Sequence, residues 1–158
     1  MQRISRRVLP FILAGLVLII DQVTKYIVMM DMSYGQSVSI IGNYLRITFI
    51  TNPNALFGIS LGDRFPYPLL TTIVAIVIVV LILTERSAFL TGAYGLILGG
   101  AIGNLIDRLR IGEVIDFIDA GVKNLRWPTF NIADSAVTIG IILMLWFTLL
   151  QKRKEPNL

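Results

Sequence analysis

Asp21, Asp107, Asp116 and Asp134 lie inside or at the edges of long apolar runs that carry almost no other charge. A carboxylate is costly in hydrocarbon and is kept there mainly where it faces a bundle interior or a wet cavity. The chain contains no His and no Cys. That removes Cys- and His-based nucleophile systems, zinc sites built on those ligands, and disulfides. Any chemistry therefore falls first to carboxylates. Two carboxylates facing each other across a confined site cannot both ionise, so one keeps its proton while the other acts as base. The base takes a proton from water and the acid polarises a carbonyl, which is aspartic-protease chemistry without His, Cys, metal or cofactor. Asp116 and Asp134 stand on either side of one loop and can meet at a membrane surface.

Each carboxylate also has a structural reading. In Gly103-Asn104-Leu105-Ile106-Asp107-Arg108, Asn104 and Arg108 are four apart and share a helix face. Here Arg108 can simply snorkel to the interface and pair with Asp107. In Val114-Ile115-Asp116-Phe117-Ile118-Asp119, apolar neighbours desolvate Asp116 and push its pKa up. The other reading is an amphipathic loop with Asp116 and Asp119 in water. Asn131 can cap the helix that begins after it, with Asp134 returning a bond as in a capping box. Alternatively, Asn131 and Asp134 orient each other toward a site. Asp21 and Lys25 are one helical turn apart, as a buried ion pair would be.

The elements that must position these residues are membrane helices. In 158 residues, 55% are hydrophobic and 15% charged, and the mean hydropathy is +0.76, which no ordinary soluble domain matches. Apolar runs cover about residues 8–30, 68–84, 88–106 and 132–150, each near the roughly 20 residues that cross a bilayer. They lack the period-two alternation of a barrel strand. The first run is long for a signal peptide, and no small-residue cleavage site follows it. The length corresponds to one domain. The sequence thus predicts an all-α membrane protein of four transmembrane helices.

Between the first two spans, Leu45, Ile47 and Phe49 alternate with Tyr44, Arg46 and Thr48, and Val38 and Ile40 precede them across Gly42-Asn43. This pattern predicts a small antiparallel β-hairpin, a cradle on the membrane surface, ending at Asn52-Pro53-Asn54. Ala55–Leu61 reads as a short interfacial segment. Four spans put both termini on one side. Arg3, Arg6 and Arg7 at one end, and Lys152, Arg153 and Lys154 at the other, make that side cytoplasmic by the density of positive charge near span ends. Residues 31–67 and 107–131 then face out. The same clustering of basic residues, with no aromatic stripe, argues against nucleic acid despite a pI near 9.7.

The combination of Asp21-Gln22-Val23-Thr24-Lys25, Asn52-Pro53-Asn54-Ala55-Leu56-Phe57, Gly103–Arg108, Val114-Ile115-Asp116-Phe117 and Phe130-Asn131-Ile132-Ala133-Asp134-Ser135 resembles the bacterial lipoprotein signal peptidases, signal peptidase II. The resemblance runs from the first helix to the fourth, in the same order and with similar spacings. It implies a multi-pass peptidase of the bacterial cytoplasmic (inner) membrane, with its site near the outer face. Such enzymes remove the signal peptide of prolipoproteins just before a diacylglyceryl-modified cysteine, so the implied partners are lipidated substrates and membrane lipids. Asp116 and Asp134 match the family's catalytic aspartates. Asn52, Asn104, Arg108 and Asn131 match its polar residues around the site, and Asp21 its first-helix aspartate. One departure is Asn52-Pro53-Asn54, where the family often has Asn-Thr-Gly.

Two other classes share some of these features. Asp116-Phe117-Ile118-Asp119-Ala120-Gly121 superficially resembles an acidic metal-binding signature of CDP-alcohol phospholipid transferases, but the Ala-Arg and further aspartates expected downstream are missing. A small ion or proton carrier would relay charge through Asp21 and Asp134. Insensitivity to a chelator and turnover of a lipopeptide separate the peptidase from both.

Overall fold

A computed structural model describes residues 2–53, 65–123 and 125–152 of the chain. Its elements are α1 (Gln2–Asp31), β1 (Ser37–Ile41), β2 (Leu45–Asn52), α2 (Tyr67–Thr84), α3 (Ala88–Ile111), β3 (Val114–Val122), β4 (Leu125–Arg126) and α4 (Ile132–Lys152). Four of these helices are long and apolar enough to cross a membrane. The expected segment Ala55–Leu61 falls outside the described residues.

The helix ends follow local chemistry. Glu85 closes the α2–α3 turn by accepting the amides of Arg86 and Ser87, at 2.6 and 2.7 Å. Ser87 then caps α3. At its far end α3 runs five residues past the expected stop at Ile106, to Ile111. It stops where Gly112 takes φ +83° and donates to the Arg108 carbonyl, a left-handed conformation that glycine adopts without a Cβ penalty. The extension keeps Asp107 and Arg108 inside a regular helix. Similarly, α1 begins before the apolar run, at Gln2.

α3 is the central helix. Its membrane window is 61% buried, against 17–28% in the other three helices, whose remaining surface is left for lipid. Small residues permit the approach. A Cβ on Gly95 would meet the Pro10 backbone, one on Gly99 the Ala14 backbone and one on Gly103 the Asp21 carboxylate at 2.6 Å. The two sets of numbers rise together, so α1 and α3 run parallel. On the other face Gly100 meets the Ala133 carbonyl and Gly140 meets Ala93, so α4 runs antiparallel to α3. Phe89 and Phe147 stack at 5.1 Å at the far end of that pair. Spacings of four residues between small side chains allow such close backbone contact.

Gly100→Ala is therefore expected to cost about 1–3 kcal/mol, the range for overpacking a tight contact, because its Cβ would stand 2.3 Å from a backbone oxygen. Gly15→Ala, with nothing within 4 Å, serves as the neutral control. Thermal unfolding in detergent compares the two, and equal midpoints would refute the contact.

The expected hairpin is present as β1 and β2, joined through Gly42 at φ +49°. It is half of a larger sheet. All pairs are antiparallel in the order β1-β2-β3-β4. The segment Val114–Asp119, read as a short loop segment between spans, is in fact strand β3 beside β2. Its run of buried residues hid the alternation that would have announced a strand. A register shift in β2 between Ile47 and Ile50 then sets Ile50 opposite Asp116 and Asn52 opposite Val114. On the other side of β3, Phe130 bridges Ile118, with Phe130 N donating to the Ile118 carbonyl at 3.1 Å. The chain enters α4 directly from that bridge, so the sheet fixes where α4 starts.

Candidate active site

Asp116 projects from β3, and Asn52 at the end of β2 donates to its Oδ2 at 3.1 Å. Asn131, the residue between the Phe130 bridge and α4, donates to its Oδ1 at 2.7 Å. The same Asn131 caps α4, its Oδ1 accepting the Asp134 amide at 2.9 Å. Asp134 does not act as the reciprocal half of a capping box through Oδ1, which accepts instead from Asn104 of α3 at 2.7 Å. Asn131 Nδ2 also reaches Asn104 Oδ1, at 3.1 Å. Two asparagine side chains thus link the two aspartates, and each uses both its donor and its acceptor end. An amide carries donor and acceptor in a fixed plane, so both ends can be satisfied in a buried network. Asp116 is 1% and Asp134 5% exposed.

Electrostatics reflect this placement. Burial, and then the negative charge of Asp134, raise Asp116 to about 7, while the bonds from Asn52 and Asn131 and the charge of Lys25 pull the other way. Desolvation wins because these opposing contacts offset only part of it.

A second layer lies beneath. The Lys25 ammonium is 2.8 Å from Asp21 and 2.7 Å from Asp107, and donates to Asn104 Oδ1 at 2.9 Å. Asp21 Oδ1 accepts the Ala133 amide at 2.9 Å. This residue of α1 therefore satisfies one of the orphan N–H groups at the start of α4. Asp107 accepts from Gln22 at 2.9 Å and from the Ile115 amide at 3.2 Å. The expected Asp21–Lys25 pair is thus present and extends to Asp107, for which the sequence suggested Arg108 as partner. Sequence reasoning missed Gln22 and the role of Asp107. The spacing of Gln22 and Lys25 beside Asp21, on a helix face otherwise apolar, was the available signal.

Asp119 is also buried, against the reading that it faces water. Arg126 of β4 pairs with it at 2.5 Å and Thr48 of β2 donates to it at 3.1 Å. Asp116 and Asp119 therefore serve different partners, unlike the adjacent ligands of a transferase metal site. Arg108 is set close to the candidate aspartates by α3. Its guanidinium stands 5.8 Å from the centre of the Tyr67 ring, a cation–π distance. Arg108 and Asn104 also line one end of an otherwise apolar cavity of about 150 Å³ among α2, α3 and α4, with Tyr67, Val74 and Val137. A second cavity, of about 270 Å³, opens beside Asp134 against Trp127, Phe130 and Ile139.

Residues 13–150 match the family model of signal peptidase II. The chain belongs to the signal peptidase II family. Curated relatives agree. It is 39% identical to a lipoprotein signal peptidase of Moorella thermoacetica, over 94% of this chain and 100% of that one. It is 44% identical to one of Shouchella clausii, over 94% and 98%. A bacterial membrane enzyme solved in meso at 2.3 Å superposes with a TM-score of 0.85 at 38% identity, covering 94% of this chain and 93% of that one. The family and the four apolar helices make this a multi-pass bacterial membrane protease. The fold class expected from the sequence holds, with the sheet larger than the hairpin alone.

Proposed function

We propose that this chain is an aspartic endopeptidase that removes the signal peptide of prolipoproteins before a diacylglyceryl-modified cysteine, with Asp116 and Asp134 as the acid–base pair. The observation that carries the reading is the pair itself. Two carboxylates from different elements are both buried, joined by Asn104 and Asn131, and placed where the sheet meets the membrane helices.

Together the aspartates hold one proton, whose resting place is Asp116. The ionised partner removes a proton from water as its oxygen attacks the scissile carbonyl carbon, and Asp116 gives its proton to the carbonyl oxygen. Collapse of the tetrahedral diol breaks the C–N bond. The base gives the proton it took from water to the leaving nitrogen, a diol hydroxyl returns one to Asp116 as the new carboxyl forms, and the enzyme is never covalently attached to the peptide. Lipid anchoring of the substrate cysteine supplies orientation. The cavity beside Asp134 and the one reached by Asn104 and Arg108, both mostly apolar, suit the signal segment and acyl chains, and Arg108 offers fixed donors to carbonyl or phosphate oxygens. Both termini lie in the cytoplasm in this reading, and the sheet lies on the outer face. No metal or cofactor takes part.

The test is purified protein with a lipidated prolipoprotein and its unlipidated counterpart, read by mass analysis. Cleavage immediately before the modified cysteine, confined to the lipidated form, supports the reading. A cut elsewhere, or equal cleavage of both, contradicts it.

A pH dependence follows. Because Asp116 titrates near 7, raising pH through that value strips the last proton from the pair, and the rate falls on the alkaline side. Asn52→Ala removes a bond that favours the ionised form of Asp116, so that limb should move to higher pH. An unmoved limb, or one displaced downward, would contradict the assignment of the acid.

A further inference from the structure

Lys25 is 2% exposed and lies one turn from Asp21 on α1. Its ammonium has three hydrogens and three oxygen partners, on Asp21, Asp107 and Asn104, at 2.7–2.9 Å. What those partners hold is informative. Asp21 accepts the amide of Ala133, the residue immediately before Asp134. Asp107 accepts the amide of Ile115, the residue immediately before Asp116. Asn104 donates to the Asp134 carboxylate and accepts from Asn131, which in turn donates to Asp116. Two arms of this ammonium end on the backbone of the residue immediately before one of the aspartates, and the third ends, through Asn104, on the Asp134 carboxylate and on Asn131.

We infer that Lys25 is the positioning residue of the aspartate pair, a single cation that fixes β3 and α4 relative to each other through Asp21, Asp107 and Asn104. The inference rests on reading Asp116 and Asp134 as the acid–base pair. A buried ion cluster is a poor device for stability alone, since well-packed apolar residues often do as well. It is a good device for geometry, because each partner has a fixed direction. Placement matters here, since a displacement of about 1 Å at a reacting centre can cost about 100-fold in rate. Lys25 also acts on the pair through its charge, which opposes burial at Asp116. The other charged groups around it are Asp21 on its own helix, Asp107 and Arg108 on α3, Asp116 on β3 and Asp134 on α4.

The decisive variant is the triple substitution Asp21→Asn, Lys25→Met, Asp107→Asn. It leaves no unpaired buried charge in the cluster and keeps amide oxygens for the Ala133 and Ile115 N–H groups, but nothing joins the two arms. Per folded molecule, kcat is expected to fall about 100-fold or more with KM changed less than about threefold. Asp107→Leu, which cuts only the β3 arm and leaves a balanced Asp21–Lys25 pair, should lower kcat about tenfold or more with KM again held. A folded triple variant, or a folded Asp107→Leu protein, with the parent kcat would overturn the role of Lys25. Asp134→Asn assayed alongside separates the two levels. If it is inactive while the clamp variants turn over normally, only Lys25 is misassigned; if it cleaves normally, the aspartate pair itself is wrong.

Discussion

Lys25→Met is expected to destabilise the protein by about 3–5 kcal/mol, the cost of removing one partner from a buried ion pair. Methionine fills much of the same volume, so lost packing is not the cause. The cause is that Asp21 and Asp107, 0% and 3% exposed, would face each other with no cation between them. Against a typical net stability of about 5–15 kcal/mol, such a loss removes much of the folded population. Asp21→Asn is milder by the same reasoning. It leaves one cation for one carboxylate, Lys25 with Asp107, and retains an oxygen for the Ala133 amide. Thermal unfolding in detergent orders the two variants, and a Lys25→Met protein as stable as the parent would refute the charge argument.

Asp116→Asn and Asp134→Asn should each lower the cleavage rate by about 1,000-fold or more while leaving the fold intact, because each removes one half of the acid–base pair. Asparagine keeps the shape and one acceptor oxygen, which serves Asn104 at position 134 and either Asn131 or Asn52 at position 116. Asp119→Asn is the informative control. It lies three residues from Asp116 on the same strand and is also buried, but its partners are Arg126 and Thr48. It should keep substantial activity and lose some stability. Rates per folded molecule decide the matter, and comparable rates for Asp119→Asn and Asp116→Asn would mean that burial alone, not acid–base chemistry, explains the loss.

The membrane helices were legible because lipid imposes a length and an apolar composition that few other contexts share. The pairing of Asp21 with Lys25 was legible because helical spacing puts them on one face. Strand β3 was not. Both of its faces are covered over Val114–Phe117, so the sequence there reads as a continuous apolar run broken by Asp116. Its partner β2 is also more than sixty residues away in the chain. The long-range contacts of Asp21 with Ala133 and of Asp107 with Lys25 were hidden for the same reason. Which carboxylate satisfies which helix end depends on the packing of α1, α3 and α4 through glycines. The candidate aspartates and asparagines were named from their motifs, whereas the ammonium that links them emerges only in three dimensions.

The most direct measurement is cleavage of a lipidated prolipoprotein by the purified protein in EDTA and ¹⁸O-labelled water, quenched during turnover and followed by mass. The account predicts full activity in chelator, one solvent oxygen in the new carboxyl terminus of the signal peptide, unmodified enzyme at quench, and loss of all product with Asp116→Asn or Asp134→Asn. Activity abolished by EDTA and restored by a divalent metal, a covalent peptidyl-enzyme at quench, or normal cleavage by Asp134→Asn would contradict it.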